Sequence, residues 1–244
     1  MNIETITITF GDVAENHKGM QTLGAIAPSG FDHADLVLAA EWFTSHKIET
    51  TIHSLTCPRE ASPAYVLIAH GGVGAWCKAD SLLEEARSLE WDHKALMYGR
   101  VVEKRARHNL CFDTMAQEPD YGRGKGRVIP FSQVPLLASI HGSLPLGTKS
   151  QGLVVEGNRY YDETCGIGFH GDAERRKVIG MRLGASMPLD FQWYQNRERI
   201  GQRHSFSLAH GDLYVMSEKA VGHDWKMRTI PTLWHAAGAD KFRA

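Results

Sequence analysis

The sequence predicts an α+β protein whose C-terminal half is mainly β, a sandwich or jelly-roll barrel preceded by helices. Three observations carry this expectation. From Gly152 onward, short apolar segments recur between turn signals: LVVEGNRYY, CGIGFH, VIGMRLG, LDFQWY, HSFSL, DLYVM, TIPTLWH and KF. Before Gly152, segments of helical and of strand periodicity are mixed. The 244 residues suffice for one generous domain, or one domain with a small appendage, with a core that needs no disulfide.

Residues 3–10 (IETITITF) alternate apolar and polar, the period of a half-buried strand. Residues 30–46 read as a helix with Asp32 as N-cap and an apolar face of Leu36, Leu38, Ala39, Trp42 and Phe43. Residues 48–55 alternate again, and 65–69 (YVLIA) form a short buried-strand run. Residues 1–70 therefore read as a small α+β unit without a chemical motif. Residues 79–90 are amphipathic, with Asp80 or Ser81 as the cap. The stretch 98–127 gathers charge in Arg100, Lys104, Arg105, Arg107, Arg123, Lys125 and Arg127. Its YGRGKGR run (121–127) suggests a mobile turn or lid, read equally as a solvated loop or a phosphate contact. No strand precedes and no helix follows that run, so a dinucleotide-binding reading is weak. Residues 130–140 look like a short helix entered through Pro135.

Composition excludes some classes. Lys+Arg 27 against Asp+Glu 28 gives a net charge of -1, which rules out a generally basic nucleic-acid coat but not a local patch. No apolar run approaches the ~20 residues that span a bilayer, and MNIETITITFGD offers no secretory leader. Cys57, Cys77, Cys111 and Cys165 are scattered without a CxxC pair, as free thiols in a reducing cytoplasm are.

The thirteen histidines bear on chemistry. A His-x-Asp pair at a strand end, with a later His, forms one face of an octahedral metal and leaves three positions open. About 0.7 such pairs are expected from composition alone. The chain has His33/Asp35, His170/Asp172 and His210/Asp212. The first opens a predicted helix, where Asp is favoured by the dipole. The third has too little chain after it and reads as a turn into DLYVM. His170 and Asp172 follow one strand and precede several more, as metal ligands in a barrel should. No Ser-His-Asp or Cys-His arrangement competes.

Asn158-Arg159-Tyr160, then His170-Gly171-Asp172, then VIGMRLGASMPLDFQW and LAHGDLYVMS occur in that order. This succession resembles the AlkB-like Fe(II)/2-oxoglutarate dioxygenases over roughly residues 95–244, with a looser likeness to their nucleotide lid in 98–135. The resemblance implies a double-stranded β-helix (jelly roll) with flanking helices over residues 76–244, with 1–70 outside it. It implies that Asn158 and Tyr160 contact 2-oxoglutarate. The distal ligand departs from the pattern: Met227 stands where the family's His would follow Trp225. His235, closing TIPTLW, is favoured, with His223 as the competitor. The family's Arg-rich ending is also absent, yet a dianionic co-substrate needs a cation. Lys241, Arg243 and Arg182 are the candidates, in that order.

The activity implied is that of a dioxygenase with Fe(II) on His170, Asp172 and His235. It consumes 2-oxoglutarate and O2, releases succinate and CO2, and hydroxylates or oxidatively dealkylates its substrate. The implied substrate is a DNA or RNA base flipped into the pocket, with the basic 98–127 stretch and Tyr98, Tyr121 and Phe131 in contact. A small molecule, a free nucleotide or a protein residue stays open as substrate. So does a metal-binding jelly-roll module without oxygen chemistry, and a partner-binding role for residues 1–70.

Overall fold

The structure, a computed structural model, describes residues 4–57, 59 and 62–244. Among them sixteen strands and five helices form, with the strands in two larger sheets and two hairpins. The eight-stranded sheet runs β4 (Thr50–Ser54), β5 (Tyr65–Ala69), β15 (Leu213–Met216), β12 (Val178–Gly184), β1 (Thr5–Gly11), β10 (Val154–Tyr160), β8 (His108–Asp113) and β9 (Val128–Pro130). The four-stranded sheet runs β11 (Gly166–His170), β16 (Thr232–Gly238), β13 (Met187–Gln195) and β14 (Glu198–Leu208). The hairpins are β2 (Val13–Glu15) with β3 (Thr22–Gly24), and β6 (Lys94–Met97) with β7 (Arg100–Glu103). The helices are α1 (His33–Ser45), α2 (Ala79–Arg87), α3 (Pro135–His141), α4 (Glu218–Val221) and α5 (Asp240–Arg243). The fold is thus mixed α+β and mostly β. No helix among the described residues is long and apolar enough to cross a membrane. All four cysteines are free thiols.

Strand periodicity sorts the core into two clusters. Ile6, Ile8 and Phe10 of β1 and Ile179, Met181 and Leu183 of β12 pack with Leu36, Ala39 and Phe43 of α1, Leu82 and Ala86 of α2, and Ile140 of α3. The alternate side chains turn to the other face, because successive residues of a strand point opposite ways. There Ile68, Tyr160, Tyr214 and Met216 join Leu189, Phe191 and Trp193 of β13 and Leu233 of β16 in a second cluster between the sheets. Helices, large sheet and small sheet therefore form three layers.

Residues 1–70 do not stand apart from the rest. β1 sits between β10 and β12, and β5 pairs with β15, so a boundary near residue 70 would cut across the sheet. The strand expected over 3–10 runs from Thr5 to Gly11, with Ile3 outside the described residues. All seven of its residues are buried, not half of them. Thr7 and Thr9 face a cavity instead of open solvent, and Thr5 Oγ1 donates to the Ala185 carbonyl at 2.9 Å.

Local chemistry explains the helix ends. Asp32 and Asp35 form a reciprocal capping box at the start of α1, which accounts for the incidental His33/Asp35 pair. α2 begins two to three residues earlier than its expected caps allow: Lys78 is the N-cap, without a side-chain bond, and Asp80 lies in the first turn. Lys241 and Phe242, expected in a last strand, belong to α5, because Arg243 Nε turns back to donate to the Gly238 carbonyl at 2.8 Å.

Candidate metal centre

β11 and β16 are antiparallel neighbours, and their register sets His170 opposite His235 with ring centroids 4.5 Å apart. The register shifts between Ile167 and His170, and such a bulge re-aims the side chains that follow it. Asp172 lies just past the strand, its backbone N–H donating to the Val221 carbonyl at 3.1 Å. The residue between them has to be glycine. A Cβ on Gly171 would lie 2.2 Å from the Gly222 oxygen and 2.6 Å from Trp225 Cβ.

These constraints converge on one point. Nε2 of His170 and of His235 stand 3.4 and 3.7 Å from Asp172 Oδ1. One ligand atom from each of the three residues lies within 4.8 Å of the other two. Nδ1 of His170 is 2.7 Å from the Gly168 carbonyl, which makes Nδ1 the donor and leaves the Nε2 lone pair for a cation. His235 Nδ1 is buried without a hydrogen-bond partner. Two imidazoles and one carboxylate on one side are a ligand set that suits a divalent transition metal with open positions.

The electrostatics agree. Burial alone would raise the Asp172 carboxyl, but Arg175, then His235 and His170, outweigh it and hold Asp172 well below the usual carboxylate range. Arg175 Nε is 3.5 Å from Asp172 Oδ2, and its Nη2 donates to Glu156 at 2.9 Å. Burial, reinforced by His170 and opposed by Asp172, pushes His235 down to about 4. At neutral pH the centre therefore holds an ionised carboxylate and a neutral His235, the protonation that metal binding needs. His223 stands outside this group, its Nδ1 3.1 Å from the Arg175 carbonyl.

The group lies in a cavity of about 620 Å³, a volume usual for a small-molecule site. Thr7 and Thr9 of β1, Glu156, Asn158 and Tyr160 of β10, and Arg182 of β12 line its inner part. Asn158 Oδ1 accepts from Arg107 Nε at 2.7 Å and from Asn109 Nδ2 at 2.6 Å. Burial raises the Tyr160 phenol. Tyr214 packs so closely over β12 that a Cβ on Gly180 would meet its ring at 2.0 Å.

Among the three candidate cations, the cavity is lined by Arg182 and by neither Lys241 nor Arg243. Lys241 is exposed, its Nζ 5.2 Å from the Phe242 ring centroid. Arg243 is engaged by Asp190 at 2.9 Å and by the Gly238 carbonyl. Arg182 is only 1% exposed and donates to Thr7 Oγ1. Its Nε has no hydrogen-bond partner, and among the described residues no carboxylate pairs with it. Burial pulls this guanidinium below its ordinary value, outweighing the opposing pull of Tyr214, Tyr160 and Asp212.

The basic 98–127 stretch sends only Arg107 and Asn109 to the cavity. Arg127 is engaged by Glu90, Asp92 and Glu118, and Lys104 is buried against Asn16. Tyr121 donates to Asp92 at 2.7 Å, Tyr98 is 98% exposed, and Phe131 stacks on His141. The sequence did not single out Thr7, Arg175 or Tyr214; Arg107 stood out only as one of a basic stretch, and Trp225 only as a marker for the distal ligand. For Thr7 and Thr9 the signal was present in the polar half of IETITITF.

No family model matches the chain. An uncharacterized protein of Acanthamoeba polyphaga mimivirus, R156, is 50% identical over 246 residues, spanning 98% of this chain and 97% of its own length. With half of all positions shared over nearly the whole of both proteins, the chain belongs to the same family as this mimivirus protein.

Proposed function

We propose that the protein is an Fe(II)- and 2-oxoglutarate-dependent dioxygenase of AlkB-like type, its two facing sheets forming a double-stranded β-helix (jelly roll). The observation that carries this reading is the His170–Asp172–His235 group sharing one cavity with the desolvated, carboxylate-free Arg182. A metal module without oxygen chemistry accounts for the first and leaves the second as an unexplained cost, because a buried charge without an ion-pairing carboxylate is unfavourable. A dicarboxylate ligand supplies that partner.

His170, Asp172 and His235 would hold the iron, and Arg182 with Thr7 would receive the distal carboxylate. Asn158 and Tyr160 line the same wall and would flank the keto acid. When bound, iron and 2-oxoglutarate supply the oxidising chemistry, in which O2 is consumed, succinate and CO2 are released, and a substrate C–H bond is hydroxylated. Each residue has its own task. Arg175 keeps Asp172 ionised and occupied on its Oδ2 side, which leaves Oδ1 toward the histidines. The Gly168 carbonyl fixes the His170 tautomer. The apolar cluster behind Phe191 and Leu189 keeps water from the strand side of His235.

For the substrate we infer a nucleobase. The cavity is also lined by the flat, half-buried side chains Phe169 and Trp225 and by His17, which can stack on a base and hydrogen-bond to it. The test is to load the purified protein anaerobically with Fe(II), measure bound metal and 2-oxoglutarate affinity, then admit O2 and quantify succinate with methylated single-stranded DNA and RNA. We expect one iron per chain and succinate formation that rises with the right substrate. Stoichiometric iron with neither 2-oxoglutarate binding nor succinate would overturn the reading in favour of a binding module.

A further inference from the structure

We propose that a second groove, beside the cavity and apart from the His-Asp-His group, binds single-stranded nucleic acid by stacking its bases and pairing with its phosphates. The groove measures about 250 Å³ and lies between the β13–β14 turn and residues 225–228. Tyr194, Asn196, Arg197, Arg228 and Trp234 line it. Trp225 and Lys226 line both groove and cavity, so the two share a wall.

Aromatic surface and free positive charge coincide here. Trp225 and Trp234, both half-buried, stand edge-on at 5.1 Å, and the buried Tyr194 backs Trp234 with centroids 4.2 Å apart. Arg197, Lys226 and Arg228 are exposed. None of the three forms an ion pair among the described residues, and the neighbouring Asp224 is held by Lys219 at 2.7 Å. Arg199 and Arg203 place their guanidinium groups 5.8 and 5.3 Å from the ring centroid of Phe169, which lines the cavity. Arg203 is paired with Asp190 at 3.7 Å and Arg199 donates to the Ala244 oxygen at 2.6 Å, so the free charge is that of Arg197, Lys226 and Arg228. In a chain of net charge -1 this concentration is local.

The turn adds an independent sign. Asn196 and Arg197 hold φ of 53° and 70°, the left-handed pair of a two-residue hairpin. Glycine is the easy residue at the second place, so an arginine there is kept against backbone preference. Its charge is set at the tip of the groove.

The combination selects the ligand class. A lone phosphate needs the cations but not the rings, and an apolar peptide needs the rings but not the cations. A strand of open bases on a phosphate backbone uses both. A duplex hides its base faces and does not. The shared wall at Trp225 lets one strand occupy the groove and present a nucleotide to the cavity. That last step rests on the nucleobase reading above, whereas binding in the groove does not.

The experiment is fluorescence anisotropy with metal-free, full-length protein and a labelled single strand of about ten nucleotides, as DNA and as RNA, at two salt concentrations. The same sequence as duplex and inorganic polyphosphate serve as competitors. We expect single strands to bind better than duplex, and polyphosphate to compete poorly. The double variant Arg197→Glu/Arg228→Glu should weaken binding at least about tenfold and lower the salt slope by roughly two. Its iron content and 2-oxoglutarate affinity should match the parent, because neither residue lines the cavity. Whichever of DNA and RNA binds more tightly identifies the strand. No binding by either strand, equal binding by the variant, or equal competition by duplex or polyphosphate overturns the proposal. Oligonucleotide binding without iron binding would instead count against the oxygenase alone.

Discussion

The two faces of the eight-stranded sheet are both removed from water, yet they follow opposite chemistry. On the helix side Ile6, Ile8, Phe10, Met181 and Leu183 pack as ordinary core. On the cavity side the alternate residues of the same strands are Thr7, Thr9, Asn158 and Arg182. One strand thus contributes to stability with its odd or even half and to a ligand site with the other. The difference teaches that burial along β1 has two causes: apolar area taken from water on one side, and a cavity shielded by a second sheet on the other.

Several measurements can break or sharpen this contrast. The largest effect is expected at the centre itself. His235→Ala should abolish stoichiometric iron binding while His223→Ala retains it, as metal analysis of the two folded variants would show. Iron lost in both would put the ligand set in doubt. On the helix face, Phe10→Ala should cost about 3–5 kcal/mol in chemical denaturation, as large core truncations do, while the folded protein still binds iron. A similar loss from Thr9→Val would erase the distinction between the faces.

Arg182→Gln should act in opposite directions on the two quantities. The affinity for 2-oxoglutarate should fall by roughly ten- to a hundredfold, the scale of a lost charge-assisted bond. The ligand-free protein should keep or raise its Tm, because an uncompensated buried charge is removed. A lowered Tm with unchanged 2-oxoglutarate affinity would make Arg182 purely structural.

The smallest effect concerns Lys104, behind the cavity, which donates to Asn16 Oδ1 at 2.7 Å. Burial, against the pull of Asp92, lowers it from 10.5 to about 7. Between those values the unfolded chain binds a proton that the folded chain does not, so stability should rise with pH from about 7 toward 10.5 and be lowest below 7. The gain should be a few kcal/mol at most. Tm measured across that range should climb for the parent and be flatter for Lys104→Met; identical slopes would refute it.

Much of the fold was legible because periodicity reports which side of a strand is apolar. The helix at Asp32 was legible from its capping residues, and the C-terminal strands from their turn signals. The integration of residues 1–70 into the large sheet was not, because the pairing of β1 with β10 and β12 joins residues far apart in the chain. The half-buried reading of IETITITF failed because alternation cannot tell solvent from a cavity lined by polar side chains. Where the three candidate cations lie was likewise decided by register. Lys241 and Arg243 sit in a terminal helix outside the cavity, whereas Arg182 takes the parity of β12 that faces inward.

The sequence by itself determined the local terms: strand and helix periods, the capping box, the His-Gly-Asp triplet and the absence of a spare side chain at Gly171. Only the tertiary structure decided which of thirteen histidines meet and which arginine is left in the dry. It also showed that Trp225, Trp234, Arg197 and Arg228 share one groove. The physical reason is range. Propensity and capping act within a turn or two of chain, while a metal centre or a desolvated charge is made by strands that the sheet register brings together.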